Sequence, residues 1–359
     1  MTQRERQLLN WIEADPLISQ QELADKAGIT RSSVAVHISN LMKKGYISGK
    51  GYIVNTTPYV TVVGGVNMDI CGQSTAAPVS HDSNPGTVSM SLGGVGRNIA
   101  HNMALLGVDT RMLTVFGDDL NAQKIAASCA ELGIDISQSP VIPGGRTSTY
   151  LFINDEKGDM MLAVNDMDIY RHLTPQILAA RWKLLNSSQV VVLDTNLPQE
   201  SIEYLAENCP VPLFADPVST VKAVKLQNVL GKLHTLKPNR LEAELLSGVA
   251  ITDEKSLHKA AEKLLETGLH RVFISLGGDG VFAADRTGET VHLPVLKAHM
   301  RNTTGCGDAF MAAITWAYLQ GTDLADTAKA GLAASAIAME GSQTINPEMS
   351  ERALRARMA

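Results

Sequence analysis

The sequence predicts an α/β protein in two parts. These are a large three-layer domain, with helices on both faces of a mostly parallel sheet, and a small helical domain before it. Apolar runs at 190–194, 211–216 and 272–276 have the composition of fully buried strands, and helical stretches at 201–208 and 256–267 lie between them. Such alternation is typical of a parallel sheet covered on both sides. Three helical patterns in quick succession at the start of the chain indicate the small domain.

The composition is that of a globular protein with a sizeable core. Of 359 residues, 45% are hydrophobic and 19% are charged, which are ordinary values, and the length suits a small module plus one large domain. The net charge of −6 argues against non-specific nucleic-acid binding by the whole molecule. The four cysteines are scattered without a Cys-x-x-Cys pair, so neither a zinc site nor a disulfide framework is predicted.

The sequence contains no recognisable targeting or membrane segment. The first residues, MTQRERQLLNW, are charged and lack the apolar stretch of a signal peptide. No apolar run reaches the roughly 18 residues that a transmembrane helix needs. We therefore expect a cytoplasmic protein without a membrane partner.

The small domain, predicted over 1–56, contains three helices and a hairpin. The second helix begins after Ser19, with Glu22 completing a capping box, and ends at Gly28. The third opens at Thr30 or Arg31 and buries one apolar face, formed by Val34, Ile38 and Leu41. The segment YISGKGYIV then predicts two short strands around a Gly-Lys-Gly turn.

This order of elements resembles the winged helix-turn-helix domains of bacterial repressors. Between Lys26 and Met68 the sequence has five basic residues and no Asp or Glu, which predicts a local positive field. The expected contacts to duplex DNA lie on the third helix and at the wing tip: Arg31, Ser32, Ser33, His37 and Lys50. Operator binding of this kind implies a homodimer. The alternative is a docking or oligomerisation module with a solvated basic face.

In the large domain, predicted over 57–359, two segments do not follow the alternation of strands and helices. Residues 71–92 are polar with strand-like pieces, and 147–165 predict a hairpin that turns at 155–158. We expect them to form a small β-lid over a substrate.

The segment NTTGCGDAFMAAITWAYL, residues 302–319, carries the clearest chemical signal. Gly305 and Gly307 permit a sharp turn whose N–H groups point outward at the start of an apolar helix. Such an anion hole suits a phosphoryl group in transfer, and Asp308 at its rim can accept a proton from an attacking hydroxyl. Taken alone, the motif also fits an ordinary helix start.

Three further patterns strengthen the hypothesis, although each has a plain structural explanation. The glycine cluster at 93–98 precedes a helical segment around 99–106. The loop SLGGDG at 275–280 follows a buried strand, where nucleotide phosphates often bind and where hairpin turns are also common. Asn239 and Glu242 lie one helical turn apart, and this pair suits either a hydrated Mg²⁺ or a simple helix start.

Together these motifs resemble those of the PfkB (ribokinase-like) carbohydrate and nucleoside kinases over the whole chain after Pro58. The resemblance implies a ribokinase-like three-layer α/β/α sandwich with a small β-lid, and ATP with Mg²⁺ as cofactors. It implies that Asp308 is the catalytic base and that the amides of Gly305, Cys306 and Gly307 form the anion hole. The implied substrate ligands are Asn67, Asp69, Gly93, Gly94 and Asn98, with Arg97 serving substrate or phosphate. The implied ATP-site residues are Asn239, Glu242, Ser275, Gly277 and Gly280, with Glu242 reaching the metal through water.

Two departures from the family pattern are visible. Cys306 stands where a small Ala is more usual, but the amide plays the role, so we expect function to survive. Asn302 stands where many members have an Asp beside a monovalent-cation site, which leaves potassium activation open.

Within the family, the segments 83–107, 147–168 and 233–248 most resemble bacterial pseudouridine kinases. This predicts phosphoryl transfer to the 5′-hydroxyl of a ribonucleoside, pseudouridine first. The lid residues expected to face the nucleoside are Thr149, Asn165 and Asp166. Adenosine, inosine, ribose and fructose stay open as acceptors. A ligand-sensing transcription regulator is the other functional class, and an intact Asp308 favours the enzyme.

Overall fold

The computed structural model describes residues 1–44, 46–47 and 58–359. The chain divides into two compact units, Met1–Thr56 and Thr57–Ala359. Within the described part of the chain, no helix is both long and apolar enough to cross a membrane.

The described part of the first unit contains three helices: α1 (Gln3–Ala14), α2 (Gln20–Ala27) and α3 (Arg31–Lys43). The predicted capping box of Ser19 and Glu22 begins α2, which ends at Gly28 with φ +63°. Val34 and Ile38 on the inward face of α3 pack with the core of the unit, as predicted. The hairpin expected after α3 lies outside the described residues except for Tyr46 and Ile47, and Lys50 is among the residues not described.

The second unit contains two sheets and a short strand pair. Its strands are β1 (Val60–Val63), β2 (Asn67–Ser74), β3 (Gly86–Gly93), β4 (Thr110–Leu113), β5 (Phe116–Gly117), β6 (Val141–Ile142), β7 (Thr149–Asn154), β8 (Met160–Asp166), β9 (Val190–Asp194), β10 (Leu213–Asp216), β11 (Thr235–Leu236), β12 (Arg271–Ser275), β13 (Val281–Asp285) and β14 (Thr290–Leu293). The main sheet has the order β14-β13-β12-β11-β10-β9-β1-β4. Neighbouring strands run parallel along β4-β1-β9-β10-β11-β12, whereas β13 is antiparallel to both of its neighbours, β12 and β14.

Helices cover both faces of the main sheet. They are α4 (Val95–Leu105), α5 (Leu120–Glu131), α6 (Pro175–Ala180), α7 (Trp182–Asn186), α8 (Gln199–Asn208), α9 (Thr220–Ala223), α10 (Arg240–Ser247), α11 (Glu254–Leu265), α12 (Cys306–Leu319), α13 (Leu324–Glu340) and α14 (Glu351–Met358). Successive strand residues enter opposite cores: Val190 and Val192 pack on one face, and Val191 and Leu193 on the other. The predicted three-layer α/β architecture is confirmed.

Helix α4 begins four residues earlier than the sequence predicted, at Val95 instead of Ile99. Gly94 supplies the required turn with φ +97°. A Cβ at Gly96 would lie only 2.9 Å from the backbone of Gly64, so glycine permits the helix to start against the end of β1. Consequently Arg97 and Asn98 belong to the first turn of the helix and not to a preceding loop.

The second sheet is the predicted lid, with the order β3-β2-β7-β8. Strand β2 runs parallel to β7, and the outer strands are antiparallel to their neighbours. The hairpin turns within 155–158, as predicted. A β-bulge between Ile153 and Asn154 shifts the pairing of β7 with β8 by one residue.

Candidate active site

The loop before α12 turns sharply at Gly305, which has φ +84°. A side chain at this position would collide with the carbonyl oxygen of Thr344. Cys306 and Gly307 are the first residues of the helix, and their N–H groups have no partner within it. Outside the helix, the Cys306 N–H donates only a long bond of 3.4 Å to the carbonyl of Thr303. The loop therefore offers N–H donors and the positive end of the helix dipole to an anion.

Asp308 lies in the first turn of α12 and is partly buried. Asn98 donates a hydrogen bond from Nδ2 to its Oδ2 over 2.9 Å, so α4 and α12 meet at this carboxylate. Burial and the nearby charge of Asp216 raise the pKa of Asp308 to about 7, although Asn98 and Lys237 oppose the shift. A carboxylate with a pKa near neutrality is a suitable general base.

Lys237 is a further candidate site residue that the sequence did not reveal. Its Nζ lies 3.2 Å from Asp216 Oδ2, and both side chains are only 7% exposed. It also lies 3.2 Å from where a Cβ of Gly307 would stand, against the anion-hole loop. Burial opposes the charge of Lys237, but Asp216, Glu242 and Asp308 outweigh it and raise its pKa. The only local signal was a lysine directly after a buried strand.

Asn239 and Glu242 form a capping box at the start of α10. Asn239 Oδ1 accepts from the Glu242 N–H and Glu242 Oε2 accepts from the Asn239 N–H, each over 2.9 Å. The plain structural explanation of this pair therefore holds. Glu242 is nevertheless buried close to Lys237, and burial raises its pKa. Among the described residues, no group of three or more His, Cys, Asp or Glu side chains is arranged to hold a metal ion.

One cavity of about 580 Å³ joins the two glycine loops, a volume typical of small-ligand sites. Its polar end contains Lys237 and Gly307 together with Ser275, Gly277 and Gly280. The SLGGDG loop is the turn between β12 and β13, so its structural explanation holds, and its role at a nucleotide phosphate stays a prediction. The apolar end is lined by Val295, Leu296, Phe310, Leu332, Ala336 and Met339. The cavity can hold a nucleotide with its phosphates at the anion hole.

The predicted substrate ligands meet at the base of the lid. Asn67 donates from Nδ2 to Asp69 Oδ1 over 2.6 Å, and burial raises the pKa of Asp69. A Cβ on Gly93 would collide with the carboxylate of Asp69, and one on Gly94 would lie 2.6 Å from the backbone of Val66. The glycine pair therefore lets the start of α4 approach the strand that carries Asp69.

Like Lys237, Asp194 at the end of β9 is a buried charged residue for which the sequence predicted no role. It is fully buried, and its Oδ2 accepts from the N–H groups of Gly65 and Gly96, each over 2.8 Å. The carboxylate thus ties the end of β1 to the first turn of α4. The available signal was an aspartate closing a buried strand.

Arg97 lies away from the anion hole. The side chain is 4% exposed and donates to the carbonyl of Leu92 over 3.3 Å and to Ser128 Oγ over 2.9 Å. It therefore packs between β3 and α5. Burial lowers the pKa of Arg97, and the nearby Cys129 and Asp69 oppose this shift only in part. This position favours support of the substrate ligands over contact with phosphate.

The pleat of the lid separates the three residues expected to face the nucleoside. Asn165 pairs with Tyr150, which pairs with Asp69, so these side chains share one face. Thr149 pairs with Asp166 on the opposite face. Regular pairing from the turn would have set Thr149 opposite Asn165, but the bulge at Ile153 and Asn154 moves the register by one.

On α3 of the first unit, the exposed residues differ in part from the expected ones. Arg31 and Ser32 are exposed, whereas Ser33 and His37 are only partly exposed. Ser33 N–H and Oγ both bond to Thr30 Oγ1, the helix cap. The other exposed residues of the helix include Val36, Ser39 and Lys43, because they follow Ser32 at helical spacing.

The positive field of this unit is weaker than the acid-free stretch suggested. Lys44 binds Glu5 of α1 over 2.7 Å, and this hydrogen bond lowers the pKa of Glu5 to about 2. A distant part of the sequence thereby neutralises one of the five basic residues.

Comparisons with known proteins cover both units. Residues 57–352 match the pfkB family of carbohydrate kinases, and residues 1–48 match a winged helix-turn-helix DNA-binding family. An uncharacterized sugar kinase of Escherichia coli K12, YeiI, is 38% identical over 98% of this chain and 97% of its own. The pseudouridine kinase of the same organism is 38% identical over 81% of this chain and 94% of its own. The structure of a carbohydrate kinase from Agrobacterium tumefaciens superposes with a TM-score of 0.74 at 28% identity, covering 84% of this chain and 97% of its own.

Proposed function

Since this chain belongs to the pfkB family of carbohydrate kinases, we propose that it phosphorylates the 5′-hydroxyl of a ribonucleoside, pseudouridine first. It is an ATP-using phosphotransferase with an alcohol as acceptor. The observation that carries the nucleoside proposal is the 38% identity to a pseudouridine kinase over most of both chains. Asp308, held by Asn98 beside the anion hole, supports catalysis over mere ligand sensing.

The arrangement of charges suggests how the chain would perform the transfer. The acceptor hydroxyl gives its proton to Asp308 as its oxygen bonds to the γ-phosphorus, and the bond from that phosphorus to the bridging oxygen breaks, releasing ADP. N–H groups of the loop at 305–307 and the ammonium of Lys237 stabilise the charge on the transferring group. Mg²⁺ bound with ATP would neutralise phosphate oxygens. Glu242 is placed to orient its water ligands.

A panel of acceptors with Mg-ATP tests this proposal. Pseudouridine should give the highest kcat/KM, and uridine, adenosine, inosine, ribose and fructose complete the panel. A wide preference for ribose or fructose would contradict the nucleoside assignment. Equal use of adenosine or inosine would contradict the choice of pseudouridine alone.

We further propose that 1–56 is a DNA-binding domain, that 57–359 is the kinase domain, and that nucleoside binding changes affinity for an operator. Support comes from the winged helix-turn-helix match and from α3, whose exposed residues include Arg31 at its start and Lys43 at its end. Selection of genomic fragments with and without pseudouridine tests the proposal. Binding should weaken steeply with salt as counterions are released. If no specific fragment were recovered in either condition, the proposal of DNA binding would be contradicted and residues 1–56 would be a docking module.

A homodimer is compatible with both units. We propose that the lid of one copy contacts the lid of a second copy. The outward face of the lid is aliphatic and exposed, with side chains more than 40% accessible: Val88, Met90, Leu151, Ile153, Leu162 and Val164. They form two cross-strand rows without a charged residue. Two such faces in contact would bury on the order of 1,000 Å², where specific interfaces begin. Light scattering of Leu162→Glu should report a monomer; an unchanged dimer would contradict this surface.

A further inference from the structure

The inner face of the lid carries two aromatic rings beside Asp69. It consists of two cross-strand rows: Ser91, Asp69, Tyr150 and Asn165 in the first, and Ser89, Cys71, Phe152 and Ala163 in the second. Residues in one row project to the same side of a sheet. Tyr150 therefore stands next to Asp69, and Phe152 stands one row further from the base of the lid.

The two faces of the lid differ in the kind of apolar side chain they carry. The large side chains of the outward face are all aliphatic, whereas both aromatic residues of the lid strands, Tyr150 and Phe152, lie on the inner face. These two are partly buried, while their aliphatic neighbours Leu151 and Ile153 on the same strand are exposed. The inner face is thus turned toward the body of the domain.

The rings are placed to contact a flat ligand. Their centroids lie 5.5 Å apart and their planes differ by 34°. The hydroxyl of Tyr150 is directed along the sheet to Met160 Sδ, at 3.5 Å, and away from Asp69. Phe152 has only small neighbours in its row, Cys71 and Ala163 directly beside it and Ser89 beyond, so the row leaves space beside the ring.

We propose that Tyr150 and Phe152 form the platform on which the base of the acceptor nucleoside stacks. Two residues along a strand span about 7 Å, the scale on which a base extends from its ribose. With the ribose hydroxyls at Asp69, the base then lies over the second row. An aromatic face offers little to the hydroxyls of a free sugar but stacks on any planar base.

This inference rests on the proposed nucleoside acceptor and adds a basis for its selectivity. Stacking acts equally in the ground state and the transition state, so the platform should govern KM and leave kcat nearly unchanged. It should separate nucleosides from free sugars and should tolerate different bases. Choice among bases then depends on other groups of the site.

Paired substitutions at the two positions test the platform. Phe152→Leu and Tyr150→Leu remove a ring and keep an apolar side chain, whereas Phe152→Tyr and Tyr150→Phe keep it. Each variant is assayed for pseudouridine and ribose turnover, and pseudouridine binding is measured by calorimetry without ATP. At least one leucine variant should raise Kd and KM for pseudouridine about 10-fold. KM for ribose should change less than about twofold, and the ring-keeping variants should match the wild type.

Two results would overturn the inference, and they are distinguishable. If both leucine variants retained pseudouridine binding and turnover, the platform would be contradicted. An equal effect of the variants on ribose and pseudouridine would also contradict it. Either result would leave the proposed nucleoside kinase activity standing. If the wild-type protein neither bound nor phosphorylated any nucleoside, both the proposed acceptor and the platform would be contradicted.

Discussion

Around Asp308 each functional group is held by backbone or by a buried partner, whereas on the lid the position of a group depends on the pleat of a four-stranded sheet. The anion-hole loop is fixed by a glycine that admits no side chain, and Lys237 is fixed by Asp216. On the lid, one bulge decides that Asn165 and not Asp166 shares the face of Asp69. A change to one member of the transfer centre should therefore impair the whole centre, whereas each position of the lid should respond separately.

The largest effect beyond Asp308 itself is expected at Lys237. Lys237→Met should lower kcat at least about 100-fold, because it removes a charge next to the transferring group. It also leaves Asp216 buried without its partner, which should cost about 3–5 kcal/mol in the free energy of unfolding. Steady-state kinetics and urea unfolding measure the two effects.

A matched double variant separates those two losses. Asp216→Asn removes the unpaired charge and keeps an acceptor for the N–H of Val218, which Asp216 Oδ1 binds over 2.8 Å. Lys237→Met with Asp216→Asn should regain much of the stability but none of the activity. Recovery of both would show that Lys237 has only a structural role.

The pH profile tests the electrostatics of the same centre. Asp308 must be ionised to accept a proton, and its pKa is raised to about 7. Thus kcat/KM should rise with pH through about 7 and then level off. Asn98→Ala removes a hydrogen bond that lowers this pKa, so the rising limb should move to higher pH. A limb that stays in place, or moves to lower pH, would contradict the role of Asn98.

The smallest effects are expected on the lid. Asn165→Ala should raise KM for the nucleoside by a few fold, about the value of one hydrogen bond. Thr149→Ala should leave KM within about twofold, because Thr149 points to the other face, where Oγ1 donates to the carbonyl of Thr147. A larger effect at Thr149 than at Asn165 would show that the inner face is misassigned.

Features that depend on a short stretch of sequence could be predicted, whereas features that join distant parts of the chain could not. The glycine loops, the capping boxes and Asp308 lie in short motifs whose backbone requirements are local, so they were identifiable in advance. The partners Asp216 of Lys237 and Asp194 of Gly65 and Gly96 come from separate strands. Only the assembled sheet brings those residues together.

The lid shows a different reason for a partial prediction. The hairpin and its turn were identifiable from alternation and turn residues. The bulge at Ile153 and Asn154 was not, and a one-residue change in register exchanges the faces of a strand. In the first unit, the ion pair of Lys44 with Glu5 could not be predicted for a third reason, since the two residues are 39 positions apart in the chain.

Phosphoryl transfer by this chain should depend most on Asp308 acting as a base in a site that is otherwise intact. The direct measurement is a comparison of Asp308→Asn with the wild type, using kcat for pseudouridine with Mg-ATP and the calorimetric Kd for pseudouridine. We predict that kcat falls at least about 100-fold while Kd changes less than about threefold, since proton acceptance matters only in the transition state. A variant whose kcat stays within about tenfold of the wild type, a difference of roughly 1.4 kcal/mol, would contradict the assignment.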